Sequence, residues 1–263
     1  VAAYAMNYSL WHPIDSIVEQ NAKTQGGHFK VTQRGDKHEW TVAYLPSFGS
    51  TQGTSKPSNN QGSATGVPTS IYDQQSKNNS FSVESKYKLS AQTTWVSALQ
   101  YDSAQRKVQD TVLASNNMNH TFTQWSPRVG LLHDLTPHHQ LFASLSRNFE
   151  APVFGLAGTT SLANQAQSGT TFEMGSRGDA QLGKHRYGWD ATYYRAQLRN
   201  EFQTSCTNPP GCTSATTQNI PHTLHQGLEL GGHHVYDHQV DSRLALLYSR
   251  FTFQDNAYYG NNT

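Results

Sequence analysis

Along most of this chain, apolar and polar residues take turns. In TFEMGSRGDA at 171–180, Phe172, Met174 and Ala180 share one side, while Glu173, Arg177 and Asp179 share the other. At 187–194, Tyr187, Trp189, Ala191 and Tyr193 alternate with Gly188, Asp190, Thr192 and Tyr194. Phe81, Val83 and Tyr87 alternate with Ser80, Ser82, Glu84 and Lys86, and Leu224, Leu228 and Leu230 with His225, Gly227 and Glu229. A two-residue period marks a strand with two different faces. No stripe with the 3.6-residue period of a helix stands out. The pattern predicts strands over 1–10, 26–33, 38–46, 79–88, 92–101, 123–133, 139–148, 170–180, 187–202, 223–235 and 241–253.

The gaps between these strands alternate in length. Short ones are predicted near 34–37, 89–91, 134–138, 181–186 and 236–240, and long ones near 11–25, 47–78, 102–122, 149–169 and 203–222. The stretch WSPRVGLLHDLTPHHQLFASLSRNFEAP at 125–152 shows both: two alternating runs joined tightly around Pro137, then a polar segment. Short turns at one end and long loops at the other predict an all-β fold, an antiparallel up-and-down transmembrane β-barrel. In such a barrel apolar side chains face out and polar ones face in. Trp95, Tyr101, Trp125, Tyr187, Trp189, Tyr193 and Tyr248 stand near strand ends or on the apolar side, where interfacial girdles form. The competing fold is a soluble β-sandwich. It also alternates, but its inward face is apolar and its loops need not alternate in length.

Composition sharpens this choice. Only 35% of the 263 residues are hydrophobic, yet 11% are aromatic, and the mean hydropathy is −0.68. A soluble core of this size would need more apolar residues. A barrel needs them on one face only, because the other lines a wet bore. The net charge of +1 gives no electrostatic claim on nucleic acid. The longest apolar run, Val1 to Met6, is far below the roughly 20 residues of a membrane helix. No signal peptide is visible.

Enzyme motifs are scarce. Gly178 to His185 nearly spells a phosphate-binding loop, but His185 stands where Ser or Thr holds magnesium, and a strand follows. It reads as a hairpin turn. His138–His139 and His233–His234 are adjacent, so on a strand the two rings of each pair point to opposite faces and cannot readily chelate. No metal site and no cofactor are expected. Cys206 and Cys212, in CTNPPGC, read as a small disulfide loop, with two free thiols as the alternative. Arg128, Arg147, Glu173, Arg177, Asp179, Asp190 and Glu229 are expected to face inward, since charge on a lipid face costs roughly 2–4 kcal/mol at the midplane. His225 is expected to face inward beside Glu229. Arg147 and Arg128 are candidate binders of an anionic chelate, because guanidinium matches carboxylate.

The stretch SPRVGLLHDLTPHHQLFASLSRNFEAPVF at 126–154 resembles the barrel of TonB-dependent outer-membrane receptors. That family shows a Pro-Arg or Pro-Lys, a Gly-Leu, a short turn, and a strand ending in Ser-Arg-x-Phe-x-x-Pro. TTFEMGSRG at 170–178, WDATYYRAQLRNEF at 189–202 and TLHQGLELGG at 223–232 follow in the family's order. The wording is most similar to the ferric-citrate-type branch. The resemblance implies a bacterial outer-membrane importer of a ferric siderophore or similar chelate, surrounded by outer-membrane lipid. It also implies an interior plug through which TonB supplies energy, and no covalent chemistry. Charges lining the lumen would then contact the plug. Neither a plug nor an aromatic terminal strand is recognisable here. At about 24 residues per strand, a 22-stranded barrel needs about 520 residues. The expectation is that residues 1–263 are a fragment, about eleven strands of a larger barrel. A passive porin and a soluble β-sandwich binding module are the alternatives.

Overall fold

The computed structural model describes residues 1–13, 16–59, 62–154, 165–206, 215–237 and 239–255. They build one antiparallel sheet of eleven strands, each paired with its neighbours in sequence. The strands are β1 Ala2–Pro13, β2 Ser16–Arg34, β3 His38–Pro57, β4 Ser70–Lys88, β5 Thr93–Asp110 and β6 Met118–Thr136. They continue as β7 His139–Glu150, β8 Gln167–Leu182, β9 His185–Cys206, β10 Ala215–Tyr236 and β11 Val240–Phe253. A single 3-10 turn, Ala114–Asn116, follows β5. No α-helix occurs among the described residues. The sheet is open: β1 and β11 are its edges and do not pair with each other.

Each expected strand corresponds to one observed strand, and the short turns fall where the pattern placed them. The β8–β9 turn is two residues long, with Gly183 at φ 60°. A left-handed first position is what a type II′ hairpin asks for, and only glycine adopts it without strain. Beyond the turns, the expected long loops are mostly strand. The segment 47–78 is ladder except for 58–69, and 102–122 is ladder except for 111–117. The expected loop at 11–25 is almost wholly strand, since β1 runs to Pro13 and β2 starts at Ser16. In these stretches Ser, Thr, Gln, Asn and Gly occupy both faces. The contrast between faces disappears while the backbone ladder continues. β9 and β10, at 22 residues each, are roughly 70 Å long at about 3.3 Å per residue, far more than a bilayer needs.

Cross-strand partners lie on the same face of a sheet, so the register sorts every side chain. One face carries Phe29, Tyr44, Phe81, Tyr101 and Trp125 on a single rung across five strands. The Tyr101 and Trp125 rings touch, with centroids 4.8 Å apart. Leu141, Leu145, Phe172, Met174, Tyr193 and Leu228 share this face on later strands. The other face carries Glu84, Lys86, Glu173, Arg177, Asp190 and Glu229. There is no thick core. Among the described residues the buried apolar ones are few, and one cluster joins Ala104, Phe122 and Ala151, where the chain after β7 folds onto the polar face of β5 and β6.

Candidate functional site

The polar face divides into two zones. Nearer the short turns it is lined with charge. Arg177 on β8 sits opposite Asp190 on β9. Its guanidinium donates to Gln140 Oε1 at 2.7 and 3.1 Å and lies 5.5 Å from the Phe142 ring centroid. Glu173 accepts from the Ser144 hydroxyl at 3.3 Å. Asp179 lies 3.2 Å from His138 at the turn, both widely exposed. Asp190 accepts from Thr192 at 3.2 Å. Glu229 is opposite Thr192 and Leu247. Arg128 is opposite Ser146 and Ala98 on this same face. Its guanidinium has no hydrogen-bond or carboxylate partner among the described residues.

Arg147 corrects the expectation that it points inward with Arg128. The register pairs it with Thr170, on the face of Leu145, Phe172 and Met174. The reason is parity. Arg128 pairs with Ser146, so Arg147, one residue on, falls on the opposite face. It reaches the edge of Gln124, 3.5 Å from Oε1. The pairing of β6 with β7 ends at Arg128 and Ser146, which leaves Gln124 free to bridge to Arg147 and the Asn148 carbonyl.

Nearer the long loops, the polar face carries groups that the sequence pattern missed. Arg106 is buried and donates to the Pro152 carbonyl at 2.8 Å and to Asn78 Oδ1 at 2.7 Å. It thereby fastens the chain after β7 to the sheet. Asp102 takes hydrogen bonds from Ser80 and Gln100. Asp110 is buried at the end of β5 and organises the next turn. It accepts from Ser70, Asn116 and the backbone N–H of Val112 and Leu113. Burial opposes its ionisation, but these four donors outweigh burial and hold its carboxyl well below the usual carboxylate range. All three residues fall inside the expected loop 102–122. Positions 102, 104, 106, 108 and 110 alternate along β5 and all are buried, but their residues, Asp, Ala, Arg, Val and Asp, carry no apolar period to read.

His225 lies on the polar face, but its partner is Glu201 rather than Glu229. His225 Nε2 is 3.1 Å from Glu201 Oε2, and the Thr223 hydroxyl donates to the same carboxylate. The imidazole also packs against Phe251 at 4.4 Å. Simple alternation hides this triad. Asn200 has a left-handed φ of 56°, and Pro221, opposite it, has no N–H to give. The ladder is interrupted there, and Glu201 turns onto the face of Thr223 and His225. A pocket of about 220 Å³ opens beside these three, lined also by Ile220 and Phe253. Among the described residues no cluster of three metal-ligating side chains occurs. The disulfide expected between Cys206 and Cys212 falls outside the described residues: Cys206 closes β9 without a described side chain, and Cys212 is not described.

No curated protein sequence matches the chain. Among solved structures, the copper transporter OprC superimposes with a TM-score of 0.71 at 15% identity, covering 92% of this chain and 39% of its own. The ferric citrate transporter FecA gives 0.70 at 15% identity, over 96% and 40%. The ferric yersiniabactin uptake receptor FyuA from Yersinia pestis gives 0.65 at 12% identity, over 98% and 40%. At such identities the likeness is one of fold. The chain spans about two-fifths of the length of each of these proteins. The family model for the TonB dependent receptor-like β-barrel matches residues 3–263. Proteins of that family reside in the outer membrane of Gram-negative bacteria and are transporters rather than enzymes. An open eleven-stranded sheet, one face mainly apolar towards the short turns and the other lined there with charge, is a segment of such a wall, and this chain belongs to the TonB-dependent receptor β-barrel family.

Proposed function

We propose that this chain forms part of the barrel of an outer-membrane receptor that imports a ferric siderophore or a similar metal chelate, driven by TonB. The observation that carries the reading is the family match over residues 3–263. The division of the turn-side half of the sheet into a mainly apolar face and a charged one supports it. Proteins with similar folds include those named as copper, ferric citrate and ferric yersiniabactin carriers, and this favours a chelated metal as cargo. The charged turn-side zone, with Glu173, Arg177, Asp179, Asp190 and Glu229, would line the lumen and face an interior plug. The loop-side zone around Arg106, Glu201 and His225 would border the ligand chamber. Arg128 is the proposed contact for a carboxylate-bearing chelate, because its guanidinium is exposed on the polar face without a carboxylate partner among the described residues.

The test uses the full-length protein. Cells lacking it are expected to lose growth on ferric chelates as the sole iron source, and uptake of radiolabelled ferric citrate or siderophore is expected to fall at least tenfold without TonB. Arg128→Gln is expected to weaken chelate binding about tenfold, while the folded barrel still shows its heat-dependent gel shift. Release of the native protein into plain buffer without detergent would sink the membrane reading. Passage of small sugars through reconstituted liposomes, without metal-dependent binding, would indicate an open channel instead.

A further inference from the structure

The uncharged face is uncharged only over its turn-side half. On β2 to β6 that half, from the turn ends to the rung of Tyr101 and Trp125, carries no Lys, Arg, Asp or Glu; on β7, β9 and β11 the first charges on this face are Arg147, Arg195 and Arg250, eight to ten residues from the turn ends. Just beyond it the same face becomes basic. Lys23, Lys77 and Lys107 occupy two adjacent rungs, in the register Lys23–Ser50–Gln75–Lys107 and Phe48–Lys77–Gln105. They line one shallow groove of about 460 Å³ that contains no carboxylate. The Lys77 ammonium lies 5.9 Å from the Phe48 ring centroid. A second groove of about 420 Å³ on this face is lined by Arg147, Arg199 and His222, again with no carboxylate. Arg195 and Arg250 flank Gln226 on one rung beside it. Among the described residues, none of these lysines and arginines is within 4.0 Å of an acidic side chain.

Depth identifies the ligand. Lys23 and Lys77 stand about eleven residues from the turn ends of their strands, at Arg34 and Lys88. At about 3.3 Å per residue and a tilt near 40°, that is roughly 28 Å along the barrel axis, close to the height of a barrel's apolar band. Cations at that level stand among lipid head groups, where long basic side chains extend to reach anions. We propose that the two grooves bind the phosphate groups of outer-leaflet lipids and so fix the barrel in its annulus: three lysines in one groove, two arginines and a histidine in the other. Three ammonium groups around one groove neutralise a doubly charged phosphate, and an arginine grips its oxygens in pairs. The proposal rests on the outer-membrane reading above.

The experiment uses the full-length protein, purified in mild detergent and analysed by native mass spectrometry after incubation with bis-phosphorylated lipid A, monophosphoryl lipid A or phosphatidylcholine. Bis-phosphorylated lipid A is expected to be retained, the monophosphoryl form several-fold less, and phosphatidylcholine not at all. The triple variant K23Q/K77Q/K107Q and the double variant R147Q/R199Q are each expected to retain at least tenfold less. K23R/K77R/K107R is expected to retain wild-type levels, and the heat-dependent gel shift separates lost binding from lost folding. Inorganic phosphate at 10 mM is expected not to displace the lipid; complete displacement would make these free-phosphate sites and overturn the lipid assignment. Equal retention by wild type and the glutamine variants would also overturn it. Wild-type protein that needs detergent yet retains no phosphorylated lipid would sink the grooves alone, whereas protein soluble without detergent would sink the membrane reading beneath them.

Discussion

Leu145 and Ser144 are adjacent on β7, yet they stand on opposite faces of the sheet among different neighbours. Leu145 pairs with Phe172 and Val129 on the uncharged face; Ser144 pairs with Glu173 and Gly130 on the charged one. The backbone treats them alike, since each joins the same ladder with the same geometry. Only the side chain records which surroundings it meets. The composition follows from this pairing. A chain that is 35% hydrophobic can build one apolar face because the apolar residues are concentrated on alternate positions, while the backbone donors between paired strands are used by the sheet.

The sharpest way to break the comparison is to exchange the chemistry of the two faces. Leu145→Arg puts a cation on the uncharged face, six residues from the turn at His139. It is expected to cost about 2–4 kcal/mol of folding stability in a bilayer. Ser144→Arg, one residue away, faces Glu173 and is expected to change stability by less than about 0.5 kcal/mol. Urea titration of both variants in the full-length protein, refolded into lipid vesicles, reads the difference. Equal costs would mean that the two faces do not meet lipid and water.

A second contrast runs along the strands, between the turn end and the loop end. Asp110 anchors the loop end with five donors to one carboxylate, the Ile71 backbone N–H among them. Asp110→Ala removes them together and is expected to cost about 2–3 kcal/mol, confined to the segment 111–117. Hydrogen exchange at the Val112 and Leu113 amides measures it. The folded carboxyl lies below its ordinary value. Its contribution is therefore complete above the ordinary range near 3.8 and is lost as pH falls below that. Protection at these two amides is expected to fade in acid before the sheet opens, and a pH-independent protection would refute the anchoring role.

How much of this was readable beforehand depended on contrast between faces. Where Phe172, Glu173, Met174 alternate, type, period and register side were all legible. The ladder continues through Gln105, Arg106, Lys107 and Val108 with polar residues on both faces, so that half of β5 was read as loop. Arg147 was misplaced because its charge, not its parity, was used to orient it; counting from Arg128 across a two-residue turn with a register shift at Asp134/Thr136 needs the pairing itself. The Glu201–His225 contact depends on the left-handed Asn200, a local backbone reversal that no two-residue period can announce. Family wording at 126–154 placed the chain in its family, but that wording is strongest near the short turns, and the proposed ligand chamber draws on the other ends of the strands.

The smallest effect tests whether charges on the polar face hold the wall together or only line it. Arg177 has every appearance of a structural ion pair: Asp190 opposite, Gln140 accepting two of its N–H groups, Phe142 beneath. Yet it is exposed, and no carboxylate lies within salt-bridge distance among the described residues. An exposed guanidinium gains little, because water competes for each donor and salt screens the rest. Arg177→Gln is therefore expected to lower the stability of the full-length barrel by about 0.5 kcal/mol or less, insensitive to salt between 50 and 500 mM. Asp190→Asn should do the same, and the double variant should show no coupling. A coupling above about 1 kcal/mol that vanishes at high salt would mean the row is a fastening across β8 and β9. No coupling leaves these charges as the wet lining of a bore, available to whatever occupies it.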